Sequence, residues 1–233
     1  MTKARATIRL MRWLHRRLGR ALGLEQFDAT RYWEARYASG GTSGEGSYGR
    51  LADFKATVLN QFIVEHGVKS VVEFGCGDGN QLSLLRVPAY TGFDISKSAL
   101  TRCIERFKND ATKSFFLFDT ACFRDATGRF EADVALSIDV IFHLVDDRVF
   151  ESYMAHACAA ARKYLILYTT DYDRPTTGHE RPRAVSKWMR TRSEFALKQR
   201  IPNPFPGTQD EQYVSDAEFL VYERQAVVPR ASL

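Results

Sequence analysis

The sequence predicts an α/β fold, an open and mostly parallel sheet covered by helices on both faces. Three observations carry that expectation. Short apolar runs near residues 70–74, 89–93, 114–118, 133–138 and 163–169 alternate with segments of helical periodicity. The first run, Val71-Val72-Glu73-Phe74, stops at three alternating glycines, Gly75, Gly77 and Gly79, and the second ends in an acid, Asp94. Glycine accepts positive φ and lets a ligand lie against bare backbone, and amides opening the next helix offer donors. A dinucleotide fingerprint needs G-x-G-x-x-G, and its third glycine falls on Asn80, so the spacing here is G-x-G-x-G preceded by an acid.

The 233 residues suffice for one domain with a sizeable core, and 45% hydrophobic with 26% charged residues is ordinary for a soluble globular protein. No apolar run approaches the ~20 residues that span a bilayer. Cys76, Cys103, Cys122 and Cys158 form no C-x-x-C pair and read as reduced thiols of a cytoplasmic protein. The net charge of +5 is concentrated in residues 1–20, where Lys3, Arg5, Arg9, Arg12, Arg16, Arg17 and Arg20 meet no acid and Ile8, Met11, Leu14 and Leu18 recur at helical spacing. This basic amphipathic helix packs on the domain or a second subunit, as in a homodimer, or else meets an anionic membrane surface or acidic partner.

Next come Arg31-Tyr32-Trp33-Glu34-Ala35-Arg36-Tyr37 and a stretch with five glycines from Ser39 to Gly49. That composition makes either a lid that closes over a ligand or a plain flexible linker. Residues 1–50 therefore read as basic helix plus lid, and residues 51–233 as the main domain. Ser47 is a candidate cap for a helix whose Leu51, Phe54, Val58, Leu59, Phe62 and Ile63 form an apolar stripe ending at Gly67. Helices are expected at 79–86, 97–108 and 146–161 between the strands. Phe195–Ile201 and Ala217–Tyr222 close the sequence as two last strands around a Pro/Gly-rich turn.

With Glu73 ahead of the glycines and Asp94 after the next strand, the chain resembles class I S-adenosylmethionine (SAM)-dependent methyltransferases. The resemblance implies a Rossmann-like, seven-stranded sheet with an antiparallel last strand. It also implies that Glu73, Gly75, Cys76, Gly77, Asp78, Gly79, Asn80 and Gln81 wrap the methionine part of SAM. Asp94, with Ile95 and Ser96, takes the ribose hydroxyls, Asp119 or Thr120 the adenine amine, and Ile138 and Ser43 complete the cofactor site. For Asp119 a turn or cap role is the alternative.

Ligands of an open parallel sheet bind beyond the carboxyl ends of its strands. Asp139 ends the fourth strand and His143 follows four residues later. Methyl transfer to a hydroxyl needs the proton removed by a base or acidified by a divalent ion. His143 is the first candidate base, against a structural histidine bridging backbone groups, and His179 in Gly178-His179-Glu180-Arg181 is the second. Asp139 and Asp171 follow adjacent strands, so the two carboxylates either share an Mg²⁺ or are solvated loop acids. Arg174, Arg181 and Arg183 offer contacts for hydroxyls or an anion.

No N-P-P-Y-type segment follows the fourth strand, which argues against methylation of nucleobase or amide nitrogens, and no RNA-binding module is present. The Gly-Ser lid, Asp139-to-Leu144 segment, His/Arg loop and Ile201-Pro202-Asn203-Pro204-Phe205-Pro206 turn together resemble bacterial methyltransferases of sugar hydroxyls. Among these are enzymes that 1-O-methylate 3-O-methylmannosides in polysaccharide biosynthesis. That family often has His-Val-Arg-His-Arg where this chain has His179-Glu180-Arg181-Pro182-Arg183. An RNA or protein methyltransferase using the basic helix, and a non-catalytic SAM-binding protein, are the competing readings.

Overall fold

Apolar residues on alternating sides of each central strand build two cores. Val72, Phe74, Ala135, Leu165 and Leu167 belong to one, and Val71, Val134, Leu136, Ile138, Ile166 and Tyr168 to the other. A strand buried on both faces needs helices above and below, and in the computed structural model, which describes residues 27–206 and 214–226, both layers are present. The basic helix expected over residues 1–20 lies outside the described residues.

The strands are β1 (Val71–Phe74), β2 (Tyr90–Asp94), β3 (Lys113–Leu117), β4 (Ala132–Ile138), β5 (Ala161–Thr169), β6 (Phe195–Ile201) and β7 (Glu218–Arg224). They form one sheet in the order β3-β2-β1-β4-β5-β7-β6, in which β7 runs antiparallel to both of its neighbours. This is the seven-stranded, Rossmann-like sheet with an antiparallel last strand that the sequence implied. The order reverses between β1 and β4, so the ends of those strands open a crevice.

The helices are α1 (Ala29–Ala38), α2 (Gly49–Glu65), α3 (Lys97–Arg106), α4 (Asp147–Ala160) and the short α5 (Val185–Met189). α2 and α3 cover one face through Leu59, Phe62, Leu100 and Cys103. α4 and α5 cover the other through Phe150, Tyr153, Met154, Val185 and Met189. Each such side chain contributes ~1.5–3 kcal/mol when fully removed from water. Caps fix where the helices begin: Ser96 accepts from the Ala99 amide at 3.1 Å and Asp146 from Arg148 at 2.7 Å.

Two local expectations are corrected. The helix expected at 79–86 is a single 3-10 turn, Leu82–Leu84. Gly79 sits at φ 74°, the Ser83 hydroxyl donates to the Asn80 carbonyl at 2.6 Å, and Pro88 follows, so a longer helix has no room to propagate. Tyr48, not Ser47, precedes α2, and no side chain caps it; the Ser47 carbonyl instead accepts from the Asn80 side-chain amide at 2.7 Å.

Candidate active site

The crevice holds a cavity of about 470 Å³. Its floor is the β1 loop, where Gly75 has φ 87° and Gly77 φ 57°. A Cβ on Gly75 would lie 2.3 Å from Val140 and one on Gly77 2.4 Å from the Ser43 hydroxyl, so side chains are excluded at both positions. Glu73, Cys76, Gln81 and Ser43 line this end. Asp94 and Ile95, at the end of β2, line the next part, and Asp119 and Thr120, beyond β3, the part after that. Ile138, Asp139 and His143 form the wall at the end of β4.

Six predicted site residues lie elsewhere. Asp78, Gly79, Asn80, Ser96, Asp171 and His179 do not line the cavity, and their contacts say why. Asp78 accepts from the amides of Ser43 and Asn80, both at 3.1 Å, and from the Tyr48 hydroxyl at 2.9 Å, while its own amide donates to the Ser43 hydroxyl. Burial works against its charge, but these donors win and hold the carboxyl below the usual aspartate range. Asp78 and Asn80 are latches that hold the glycine-rich segment 39–49 against the β1 loop. Gly79 packs against Cys103, and Ser96 caps α3.

Two acids at the bottom are held protonated more readily than usual. Burial raises Glu73 to about 7, opposed by the Tyr90 hydroxyl, which donates at 2.5 Å, and by Lys55. Burial raises Asp94 to about 6 although it accepts from Ser96 and Gly77, each at 2.8 Å. Gln81 donates to the Ala52 carbonyl, while its buried Oε1 meets no donor among the described residues.

His143 sits on a 3-10 turn, Ile141–His143, just past β4. Burial pushes its imidazole down to about 4, partly opposed by the His179 carbonyl, so it is neutral at physiological pH. Its Nδ1 lies 3.2 Å from that carbonyl. A carbonyl only accepts, so Nδ1 carries the proton and Nε2 keeps a lone pair. His179 itself stacks on His143 with centroids 5.1 Å apart and on Tyr32 at 4.8 Å. It therefore supports His143 and is not a second base in the cavity. Arg181 and Arg183 are likewise spent internally: they donate to the Leu144 and Val145 carbonyls and pair with Asp147, which pins their loop beside His143.

The shared Mg²⁺ site at Asp139 and Asp171 is also corrected. Asp139 is paired with the fully buried Lys55, whereas Asp171 is paired with Arg200 and accepts from the Ser186 amide at 2.8 Å. Each carboxylate thus has its own cation. His143, His179 and Glu180 place one possible ligand atom each within 4.8 Å of one another. The two imidazole planes lie within 12° of parallel, however, so their in-plane lone pairs do not converge on one ion.

Sequence reasoning missed several contributors. Trp33 and Tyr37 of α1 line the cavity, and Trp33 meets His143 edge-on at 5.1 Å. α1 is docked by Glu34, which accepts from the Ser96 and Ser98 hydroxyls, both at 2.7 Å, and is thereby held down to about 2. Lys55 was invisible because it interrupts an apolar stripe as any exposed lysine would.

A family model described as a methyltransferase domain matches residues 46–223. The chain belongs to that methyltransferase-domain family. The matched segment contains β1 to β6 and nearly all of β7. No curated protein matches the sequence. Among solved structures, the N-methyltransferase NodS from Bradyrhizobium japonicum, in complex with S-adenosyl-L-homocysteine, is similar at TM-score 0.66 and 16% identity, covering 85% of this chain and 100% of that one. Magnesium protoporphyrin IX methyltransferase ChlM from Synechocystis, with bound SAM, is similar at TM-score 0.58 and 17% identity over 85% of this chain and 93% of that one. The methyltransferase domain of a bacterial Hen1 reaches TM-score 0.56 and 23% identity over 74% of this chain and 97% of that one. At these identities the likeness is one of fold.

Proposed function

We propose that the protein is a SAM-dependent O-methyltransferase acting on a sugar or oligosaccharide hydroxyl. The observation that carries the reading is His143, neutral, with Nδ1 spent on a carbonyl and Nε2 without a hydrogen bond among the described residues, in a wall of the cavity opened by the β1 glycine loop.

The residues present fit SAM. The orphaned Gln81 Oε1 and the Glu73 carboxylate offer acceptors to an ammonium group, and the bare backbone of Gly75 and Gly77 admits a ligand closely. Asp94 suits vicinal ribose hydroxyls, since each carboxylate oxygen keeps acceptor capacity beyond its one amide donor. Asp119 accepts from the Ala121 amide at 2.9 Å and from the Cys122 thiol, and its carboxylate retains acceptor capacity for an exocyclic amine. The segment after the loop is one 3-10 turn and not a long helix, so no strong phosphate cradle is built, in keeping with a cofactor that has no phosphate.

SAM supplies an electrophilic methyl group on a positively charged sulfur. When bound, SAM would give up this methyl to the acceptor oxygen, its sulfur keeping the electron pair of the broken carbon–sulfur bond, and His143 Nε2 would take the hydroxyl proton. Trp33 offers an aromatic face or edge beside that base, a surface suited to the C–H bonds of a sugar ring. In this reading the glycine-rich segment 39–49 acts as a lid ahead of the main domain at 51–233. The sugar class, and within it the 1-OH of a 3-O-methylmannoside, rests on the resemblance of the lid, His143 segment and His/Arg loop to bacterial sugar methyltransferases. Transfer to RNA is the second reading, suggested by a likeness in fold to the small RNA methyltransferase HEN1, at TM-score 0.56 and 16% identity over 77% of this chain and 26% of that one.

Purified protein incubated with methyl-labelled SAM and a panel of sugars, oligosaccharides and small RNAs tests this. Label on a sugar hydroxyl is expected, with His143→Ala keeping SAM affinity and losing transfer. Label on RNA alone, or equal turnover in His143→Ala, overturns the corresponding part.

A further inference from the structure

We propose that Lys55 is a positioning residue for the methyl acceptor: it holds Asp139 so that the second carboxylate oxygen meets the acceptor hydroxyl. The inference rests on reading the cavity as a methyltransferase site.

Three costly features converge on one carboxylate. Lys55 lies on α2 with no exposure to solvent, and its ammonium is bonded to Asp139 Oδ2 and stands 5.0 Å from the Tyr168 ring. A buried ion pair seldom adds stability over apolar side chains of similar volume, so packing alone gives no reason for a lysine here. Asp139 is also the one non-glycine residue at positive φ among the described residues, at 57°. Such backbone strain persists where the surroundings over-determine it, typically at functional sites. Finally, Gly46 of the lid approaches the same Oδ2 so closely that a Cβ there would lie 2.8 Å away.

Two of these act on the same side-chain oxygen and the third fixes the backbone that carries it. Oδ2 is taken by Lys55 and covered by the lid, and the Asp139 amide is tied to the Tyr168 carbonyl at 3.0 Å. Oδ1 has no hydrogen bond from the described residues, and Asp139 lines the cavity four residues before His143. An acceptor hydroxyl placed between them has Asp139 Oδ1 to orient it and His143 Nε2 to take its proton. A compact ammonium serves this purpose, because it fixes one oxygen as a point charge without claiming the other in a bidentate fork.

The test is a double-mutant cycle of Lys55→Met and Asp139→Asn, read as kcat for methyl transfer, acceptor KM, and SAM affinity by calorimetry. Misplacing an acceptor by about 1 Å costs on the order of 100-fold in rate. Lys55→Met is expected to lose about that much kcat with SAM affinity changed less than about threefold. In the Asp139→Asn background the same substitution is expected to cost less than about threefold more, because the carboxylate it positions is gone. Should Lys55→Met fail to fold, Lys55→Gln, which keeps a donor for Asp139 Oδ2 without the charge, takes its place in the same cycle. Losses that multiply in the double variant, a parallel fall in SAM affinity, or undiminished kcat in Lys55→Met overturns the proposal. Absence of transfer by the unmutated protein to any acceptor overturns the reading of the cavity instead.

Discussion

His143 shows how much one burial step sets. An imidazole with its ordinary value near 6.5 is half protonated there, and protonation removes the base. Burial moves that event down to about 4, so at saturating SAM and acceptor the acid limb of kcat is expected well below pH 6. A limb centred near 6.5 would show His143 to be more open to water than the structure has it. Asp94 offers a second check: the Gly77 and Ser96 amides that donate to it shape the loop, and the residue lines the cavity. Charge-assisted hydrogen bonds contribute ~1.5–3 kcal/mol each, so Asp94→Ala is expected to weaken SAM binding at least 10-fold by calorimetry. Of the site, Glu73, the glycines, Asp94 and Asp119 were legible because they sit in or just beyond the carboxyl ends of strands, where spacing marks them. Lys55, Glu34 and Trp33 were not, since a charge or ring in a helical segment reads as surface or core until the partner across the fold is known.

Segment 39–49 is the element whose behaviour the sequence left open, lid or linker. Its composition signals only freedom, whereas the structure shows what limits that freedom: Asp78 gathers Ser43, Tyr48 and Asn80, and the Ser47 carbonyl holds Asn80. Arg102 adds hydrogen bonds to the Gly41 and Tyr37 carbonyls. Asp78→Ala removes the shared acceptor without adding bulk, so hydrogen exchange at the Ser43 amide is expected to speed up ~10-fold or more, with faster SAM release. Gly77→Ala is expected to do worse, because it adds a left-handed strain and drives a methyl into the Ser43 hydroxyl. Unchanged exchange in Asp78→Ala would mean that Arg102, not Asp78, holds the segment. Elements with a strong period, β1 to β5 and α2 to α4, were readable in the sequence. The 79–86 turn misled because its apolar residues have helical spacing while Gly79 and Pro88 bracket too few of them.

At the scale of the whole molecule, the site writes opposite slopes into the pH dependence of stability. Glu73 ionises near 4.5 when unfolded and about 7 when folded. Between those values the unfolded chain releases its proton first, so folding loses stability as pH rises, by on the order of 3 kcal/mol in full. Asp94, raised to about 6, adds a smaller loss of the same sign between about 4 and 6. His143 works the other way: the unfolded imidazole takes a proton near 6.5 and the folded one only near 4, so stability falls as pH falls across that window. The slopes partly cancel between pH 4.5 and 6.5, which leaves Glu73 dominant just above. Glu73→Gln keeps an acceptor for the Tyr90 hydroxyl while removing the charge. Its melting temperature is expected to exceed that of the unmutated protein at pH 8 and to match it near pH 4.5, with SAM binding weakened. A gain of equal size at both pH values would show that the side chain's shape, and not its buried charge, sets the cost, and the ammonium role assigned to Glu73 would lose its electrostatic basis.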